Sequence, residues 1–260
     1  MALTVGSLFS GIGGIEKGLE DTGGFKTVWQ VENDLYAQAV LKKYWPDVGR
    51  WDDVRTFPPT PVEDWKCDLV CGGFPCTDIS NAGKRAGIDG EQSGLWREYI
   101  RIVRALRPRF VLVENVAALL GRGMGRVFGD LAASGYDAEW ECLPAAAFGA
   151  HHRRDRVFVI ANRTNTICLR PQRQWTPPKK PWSGEQFERL VSAEIRLSLP
   201  AGRSGGISHG VPNRKHRLHA LGNSCVPQVA QFIGERILEA IASKESLWLG
   251  GGDGTETDAT

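Results

Sequence analysis

Leu3-Thr4-Val5-Gly6-Ser7-Leu8-Phe9-Ser10-Gly11-Ile12-Gly13-Gly14 decides the fold class. Leu3 to Phe9 reads as a strand, the glycines after it as a turn, and Ile15 to Glu20 as a helical stretch. Strand, glycine turn and helix form the first unit of a nucleotide-binding α/β fold. The turn lets a ligand come close to the backbone at the helix N-terminus. The G-x-G-x-x-G pattern is incomplete, with Glu16 in the place of its last glycine. A P-loop is excluded, because no Gly-Lys-Ser/Thr follows.

Moving outward, a second strand, Lys26 to Val31, ends at Glu32. An acid about twenty residues past the first glycines stands where such folds bind ribose hydroxyls. The alternative is a capping or solvated acid, given Asn33 and Asp34 beside it. Leu35 to Tyr44 predicts a helix closed by Pro46, and Asp53-Val54 offers a second acid for an adenine amino group.

The stretch Asp68-Leu69-Val70-Cys71-Gly72-Gly73-Phe74-Pro75-Cys76 places chemistry on that frame. Leu69 to Cys71 reads as a short buried strand, which Gly72 and Gly73 end. Pro75 stiffens the loop that carries Cys76, at the carboxyl end of a strand, where α/β folds put ligands. Cys76 is either a nucleophile or one more small core residue. The glycine-rich run Ser80 to Gly94 is a connection or a lid, and Leu95 to Leu106 predicts an amphipathic helix. Phe110 to Val113 predicts an apolar strand ending in Glu114-Asn115-Val116, which makes Glu114 a candidate general acid or a capped turn. Val127 to Ala133 predicts a helix, and Tyr136 to Leu143 and Val157 to Ile160 predict strands. Neither His151-His152 nor Cys67, Cys71 and Cys76 has metal-ligand spacing, so no metal is expected.

From Arg163 to His209 the pattern breaks down. Pro171, Pro177, Pro178 and Pro181 are interleaved with Arg170, Arg173, Lys179 and Lys180, an irregular basic segment that is either a linker or a small lobe gripping a nucleic-acid backbone. A helix from Pro227 to Lys244 follows, then a glycine-rich acidic tail. That tail holds three acids, Asp253, Glu256 and Asp258. Removing them from the net charge of +2 leaves +5 on the remainder, a balance that suits a polyanion. With 260 residues, 42% of them hydrophobic, the chain has material for one large α/β domain with a small second lobe. No apolar run approaches the ~20 residues of a membrane span. No signal peptide is expected, and six scattered cysteines fit a reduced, cytoplasmic protein; a monomer is expected.

Taken together these residues resemble the DNA (cytosine-5)-methyltransferase family, in family order. Phe9-Ser10-Gly11-Ile12-Gly13-Gly14 is similar to its cofactor glycine motif, Glu32 to its ribose acid and Asp53-Val54 to its adenine contact. Gly73-Phe74-Pro75-Cys76 resembles the catalytic loop, Ser93-Gly94-Leu95 a further cofactor contact, and Glu114-Asn115-Val116 the Glu-Asn-Val motif. Arg154 and Arg156 fall at the Arg-x-Arg pair, and Gly222-Asn223-Ser224 at the last motif, whose Asn and Ser close the cofactor pocket. Thr77 departs from the family's usual Gln, and the recognition lobe is short.

The resemblance implies a Rossmann-like S-adenosylmethionine-dependent methyltransferase fold. Residues 1–161 would be the catalytic domain and 162–215 a small irregular target-recognition lobe. Residues 216–249 would return to the catalytic domain, and 250–260 would be a tail. It implies catalysis by Cys76, Glu114, Arg154 and Arg156 on double-stranded DNA, with S-adenosylmethionine held by Phe9, Ser10, Gly11, Gly13, Gly14 and Glu32. Asp53, Val54, Pro75, Leu95, Asn223 and Ser224 would complete that pocket. In this chemistry Cys76 adds to carbon 6 of cytosine, Glu114 protonates N3, and Arg154 binds the ring carbonyl. RNA is the alternative substrate. A nicotinamide oxidoreductase explains the glycines and Glu32 but gives Cys76, Glu114 and Arg154 no shared role.

Overall fold

The computed structural model describes residues 1–75, 94–150, 152–163 and 220–249, with side chains as far as 243. Cys76, the run to Ser93, His151, the basic segment and the tail lie outside the described residues. Seven strands form one sheet: β1 (Leu3–Leu8), β2 (Phe25–Val31), β3 (Gly49–Trp51), β4 (Leu69–Gly72), β5 (Phe110–Val116), β6 (Tyr136–Pro144) and β7 (Asp155–Arg163). Their order is β3-β2-β1-β4-β5-β7-β6. The first five run parallel, β7 is antiparallel to β5, and β6 is antiparallel to β7.

Helices cover both faces: α1 (Gly14–Asp21), α2 (Leu35–Tyr44), α3 (Leu95–Leu106), α4 (Leu119–Arg122), α5 (Met124–Ala133) and α6 (Pro227–Leu249). A parallel sheet must be buried on both sides, and its residues divide by the two-residue period of a strand. On β4 and β5, Leu69, Cys71, Phe110 and Leu112 face the layer of α1 and α6, where Val229, Phe232, Ile233 and Ile237 pack. Val70, Val111 and Val113 face the opposite layer, against Tyr99, Ile102, Val103 and Leu106 of α3. Each fully buried aliphatic chain contributes about 1.5–3 kcal/mol relative to exposure. These two layers therefore anchor the edges of the site.

The chain turns from α1 and β2 to β4 on the other side of β1. That switch leaves a crevice at the carboxyl ends of β1 and β4, where open α/β sheets bind ligands. The glycine turn after β1 and the Gly73 loop after β4 both open there. Among the described residues no helix is long and apolar enough to cross a membrane.

Candidate active site

On β1 the chain leaves the sheet through Phe9, at a φ of 54°, and Gly11, at 56°. Ser10 holds the turn: its amide donates to Val31 O at 3.2 Å and its hydroxyl to Ser7 Oγ at 3.0 Å. Phe9 is half-buried, with its ring 6.5 Å from Tyr99. Gly13 caps α1 at a φ of 85°. Gly14 answers a close approach, because a Cβ there would meet Cys225 O at 2.3 Å and Ser224 Oγ at 2.5 Å.

Glu32 follows β2 and faces that turn. Its carboxylate accepts from Gly11 N at 2.7 Å and from Asp34 N at 2.8 Å. Asp34 in turn caps α2 by accepting from Ala37 N. Asp53 lies further out. Its carboxylate accepts from the Arg55 guanidinium at 2.9–3.2 Å, and that partner lowers its pKa. Val54 beside it is buried, Leu95 starts α3 half-buried, and Asn223 is exposed.

The second half of the crevice is built from β4, β5 and β7. By strand alternation Glu114 continues the row of Phe110 and Leu112, and Asn115 that of Val111 and Val113. Asn115 Nδ2 donates to Phe74 O at 3.1 Å, so it ties down the loop that runs through Pro75 towards Cys76. Phe74 is fixed from the other side by Trp96, with ring centroids 5.4 Å apart. Glu114 reaches Gly73, where a Cβ would lie 2.5 Å from its Oε2. Any side chain at 73 would collide with that carboxyl.

Glu114 is 7% exposed and its Oε1 lies 3.0 Å from Arg156 Nε. The contact is an ion pair between a buried carboxylate oxygen and a half-buried guanidinium. Burial raises the Glu114 pKa, opposed by the positive charges of Arg156 and Arg154. The two arginines do not share one role. Arg154, expected at a ring carbonyl, reaches two main-chain oxygens. Its Nη1 donates to Gly222 O at 2.7 Å and its Nη2 to Ser224 O at 2.6 Å. Arg156 is the guanidinium against Glu114.

Sequence reading passed over two participants. In the sequence Asn115 is one member of Glu114-Asn115-Val116, although a buried amide at a strand end needs partners. Glu16, read as a missing glycine, is 1% exposed on α1 beneath the turn. Its Oε1 accepts from Gln30 Nε2 at 3.4 Å, and burial raises its pKa to about 7.

The sheet order and the crevice at its carboxyl ends define a Rossmann-like α/β fold, and solved structures agree with that fold. The chain superposes on a methyltransferase of Entamoeba histolytica, EhMeth, with a TM-score of 0.68 at 14% identity, covering 92% of this chain and 98% of that one. For the Dnmt2 methyltransferase of S. pombe the TM-score is 0.65 at 16% identity, covering 91% and 98%. A family model for C-5 cytosine-specific DNA methylase matches residues 3–199, and the chain belongs to that family. Among curated relatives it is 39% identical over 168 residues to the Type II methyltransferase M2.BsuMI of Bacillus subtilis, covering 62% of this chain and 42% of that protein. It is 36% identical over 167 residues to M.Bsp6I of a Bacillus species, covering 62% and 52%. The chain thus spans about half the length of the curated relatives it matches.

Proposed function

We propose that this chain is a DNA (cytosine-5)-methyltransferase that uses Cys76 as its nucleophile and S-adenosylmethionine as its methyl donor. The observation that carries the reading is the buried Glu114 carboxyl, 3.0 Å from Arg156 and packed on Gly73 of the loop that leads to Cys76.

The turn after β1 fits an adenosine-containing group. Gly11 has no heavy atom within 4 Å of where its Cβ would stand. Both oxygens of Glu32 are aligned by backbone amides, and each retains a lone pair for a ribose hydroxyl. Phe9, Ser10, Gly13 and Gly14 would shape the cradle, with Asp53 and Val54 at the adenine end and Leu95 beside them. Pro75, Asn223 and Ser224 would border the methionine end. S-adenosylmethionine, when bound, would supply an activated methyl group.

A target cytosine must leave the duplex to reach this crevice. The Cys76 thiolate forms a bond to carbon 6, and the electron pair moves into the ring towards N3 and the carbonyl oxygen. Neutral Glu114 gives N3 a proton as that charge builds, and Arg156 stabilises the carbonyl oxygen. Carbon 5 thereby becomes nucleophilic and takes the methyl group. Loss of the carbon 5 proton to solvent, departure of the Cys76 thiolate and return of the N3 proton to Glu114 restore the ring. Burial serves this sequence by keeping the neutral form of Glu114 populated at higher pH than in water.

Duplex DNA carrying 5-fluorocytosine tests the assignment, because fluorine blocks the last elimination. With S-adenosylmethionine present, the chain should give a covalent adduct that survives denaturing gels. Cys76→Ser should give none, while Cys71→Ser should keep it, since Cys71 is fully buried with its thiol pKa raised by that burial. Undiminished methylation by Cys76→Ser would remove Cys76 from the mechanism.

A further inference from the structure

Arg154 stands just before β7, in the left-handed region at a φ of 37°, which residues other than glycine, asparagine and aspartate rarely occupy. Such strain persists only where surrounding contacts over-determine it. The contacts here are the two carbonyl oxygens of Gly222 and Ser224, at 2.7 and 2.6 Å, each met by a separate nitrogen of one guanidinium. A planar fork suits two convergent acceptors, whereas a lysine presents a single point charge. The 222–224 segment, a helix end so held, leans on the glycine turn, since Ser224 Oγ and Cys225 O fill the space where a Gly14 Cβ would stand. Two residues along from Arg154, Arg156 meets Glu114.

We propose that Arg154 is a positioning residue, clamping the helix end at 222–224 onto the glycine turn and so tying the cofactor end of the crevice to the Glu114–Arg156 pair. This rests on the function proposed above. The strained backbone, the two-pronged bond and the contact at Gly14 join three separated segments through one side chain. Its neighbour in the Arg-x-Arg pair is left to face the base.

Arg154→Gly isolates the guanidinium, because glycine accepts this φ without strain. In the full chain without ligand, the Ser224 amide donates to Ala220 O at 2.9 Å, and its hydrogen exchange should quicken in Arg154→Gly. Calorimetry should show S-adenosylmethionine affinity weakened by about tenfold or more, the scale expected for two charge-assisted hydrogen bonds. Turnover at saturating cofactor should stay within about threefold, as for an interaction made equally in ground and transition states. Arg154→Lys keeps the charge without the fork and should resemble Arg154→Gly. Unchanged exchange and affinity in Arg154→Gly, or wild-type affinity in Arg154→Lys, would overturn the clamp. So would a collapse of turnover with unaltered cofactor affinity, which would put Arg154 on the base. Failure of the functional reading looks different. The wild-type chain would then give no adduct with 5-fluorocytosine DNA, while the exchange contrast between wild type and Arg154→Gly would remain.

Discussion

Glu114 and Glu16 are both buried carboxyl groups, and their partners separate their roles. Glu114 has a guanidinium at 3.0 Å and opens on the crevice. Replacing it by glutamine keeps the shape and a donor but removes the transferable proton. Turnover by Glu114→Gln should fall by about 10²-fold or more, the usual contribution of a positioned acid, with adduct formation in a 5-fluorocytosine assay slowed in parallel. Among the described residues no arginine acts on Glu16. Burial raises its pKa from 4.5 to about 7, opposed in part by hydrogen bonds from Ser7, Ser10 and Gln30. A folded-state pKa above the unfolded value means that the native state holds a proton the unfolded chain has lost. The contribution of Glu16 to stability is therefore fullest below about pH 4.5 and declines as pH rises towards 7, by up to about 3 kcal/mol. Glu16→Gln should flatten that decline, seen as a smaller change in melting temperature between pH 5 and pH 8. Glu114 was legible as an acid ending an apolar run. The setting of Glu16 was not, because its partners assemble only when β1 and β2 pair and bring Ser7 opposite Gln30.

At the scale of elements, local pattern and tertiary pairing divide the credit. Helix α3 spans Leu95–Leu106, as its apolar spacing predicts, since its buried stripe is set by its own sequence. Strand β5 was expected to stop at Val113 but continues to Val116. Glu114, Asn115 and Val116 stay in the sheet because Phe158, Val157 and Arg156 of β7 pair with them. No periodicity within either segment encodes that partner. Strand β3, three residues long and paired only with β2, gave no signal of its own. The extension of β5 has a functional reading, because it carries Asn115 to Phe74. Asn115→Ala should remove that tether and cost about 1 kcal/mol of stability in denaturant titration. It should also lower turnover more than cofactor affinity, because misplacing a nucleophile loop weakens chemistry rather than binding. Glu32→Ala should do the reverse. Loss of a charged hydrogen bond worth roughly 1.5–3 kcal/mol should weaken S-adenosylmethionine binding in calorimetry, with turnover at saturation much less affected.

For the molecule as a whole, one sheet brings together glycines from the first strand, an acid from the fifth and arginines beside the seventh. The C-terminal region closes on this sheet: α6 packs on the layer of α1, and the segment 222–224 before it meets both Gly14 and Arg154. The basic segment from Arg163 to His209 is the proposed grip on DNA. Neutralising Lys179 and Lys180 together should weaken binding to every duplex alike and reduce the salt slope by up to about two units, without changing the methylated sequence. The central claim is methyl transfer to carbon 5 of cytosine in duplex DNA through Cys76. Mass spectrometry of nucleosides from duplex DNA and from tRNA, each incubated with the purified chain and labelled S-adenosylmethionine, tests it most directly. Labelled 5-methylcytosine should form in the duplex, and Cys76→Ser should abolish it. Label confined to tRNA, label on another base atom, or full activity in Cys76→Ser would contradict the account.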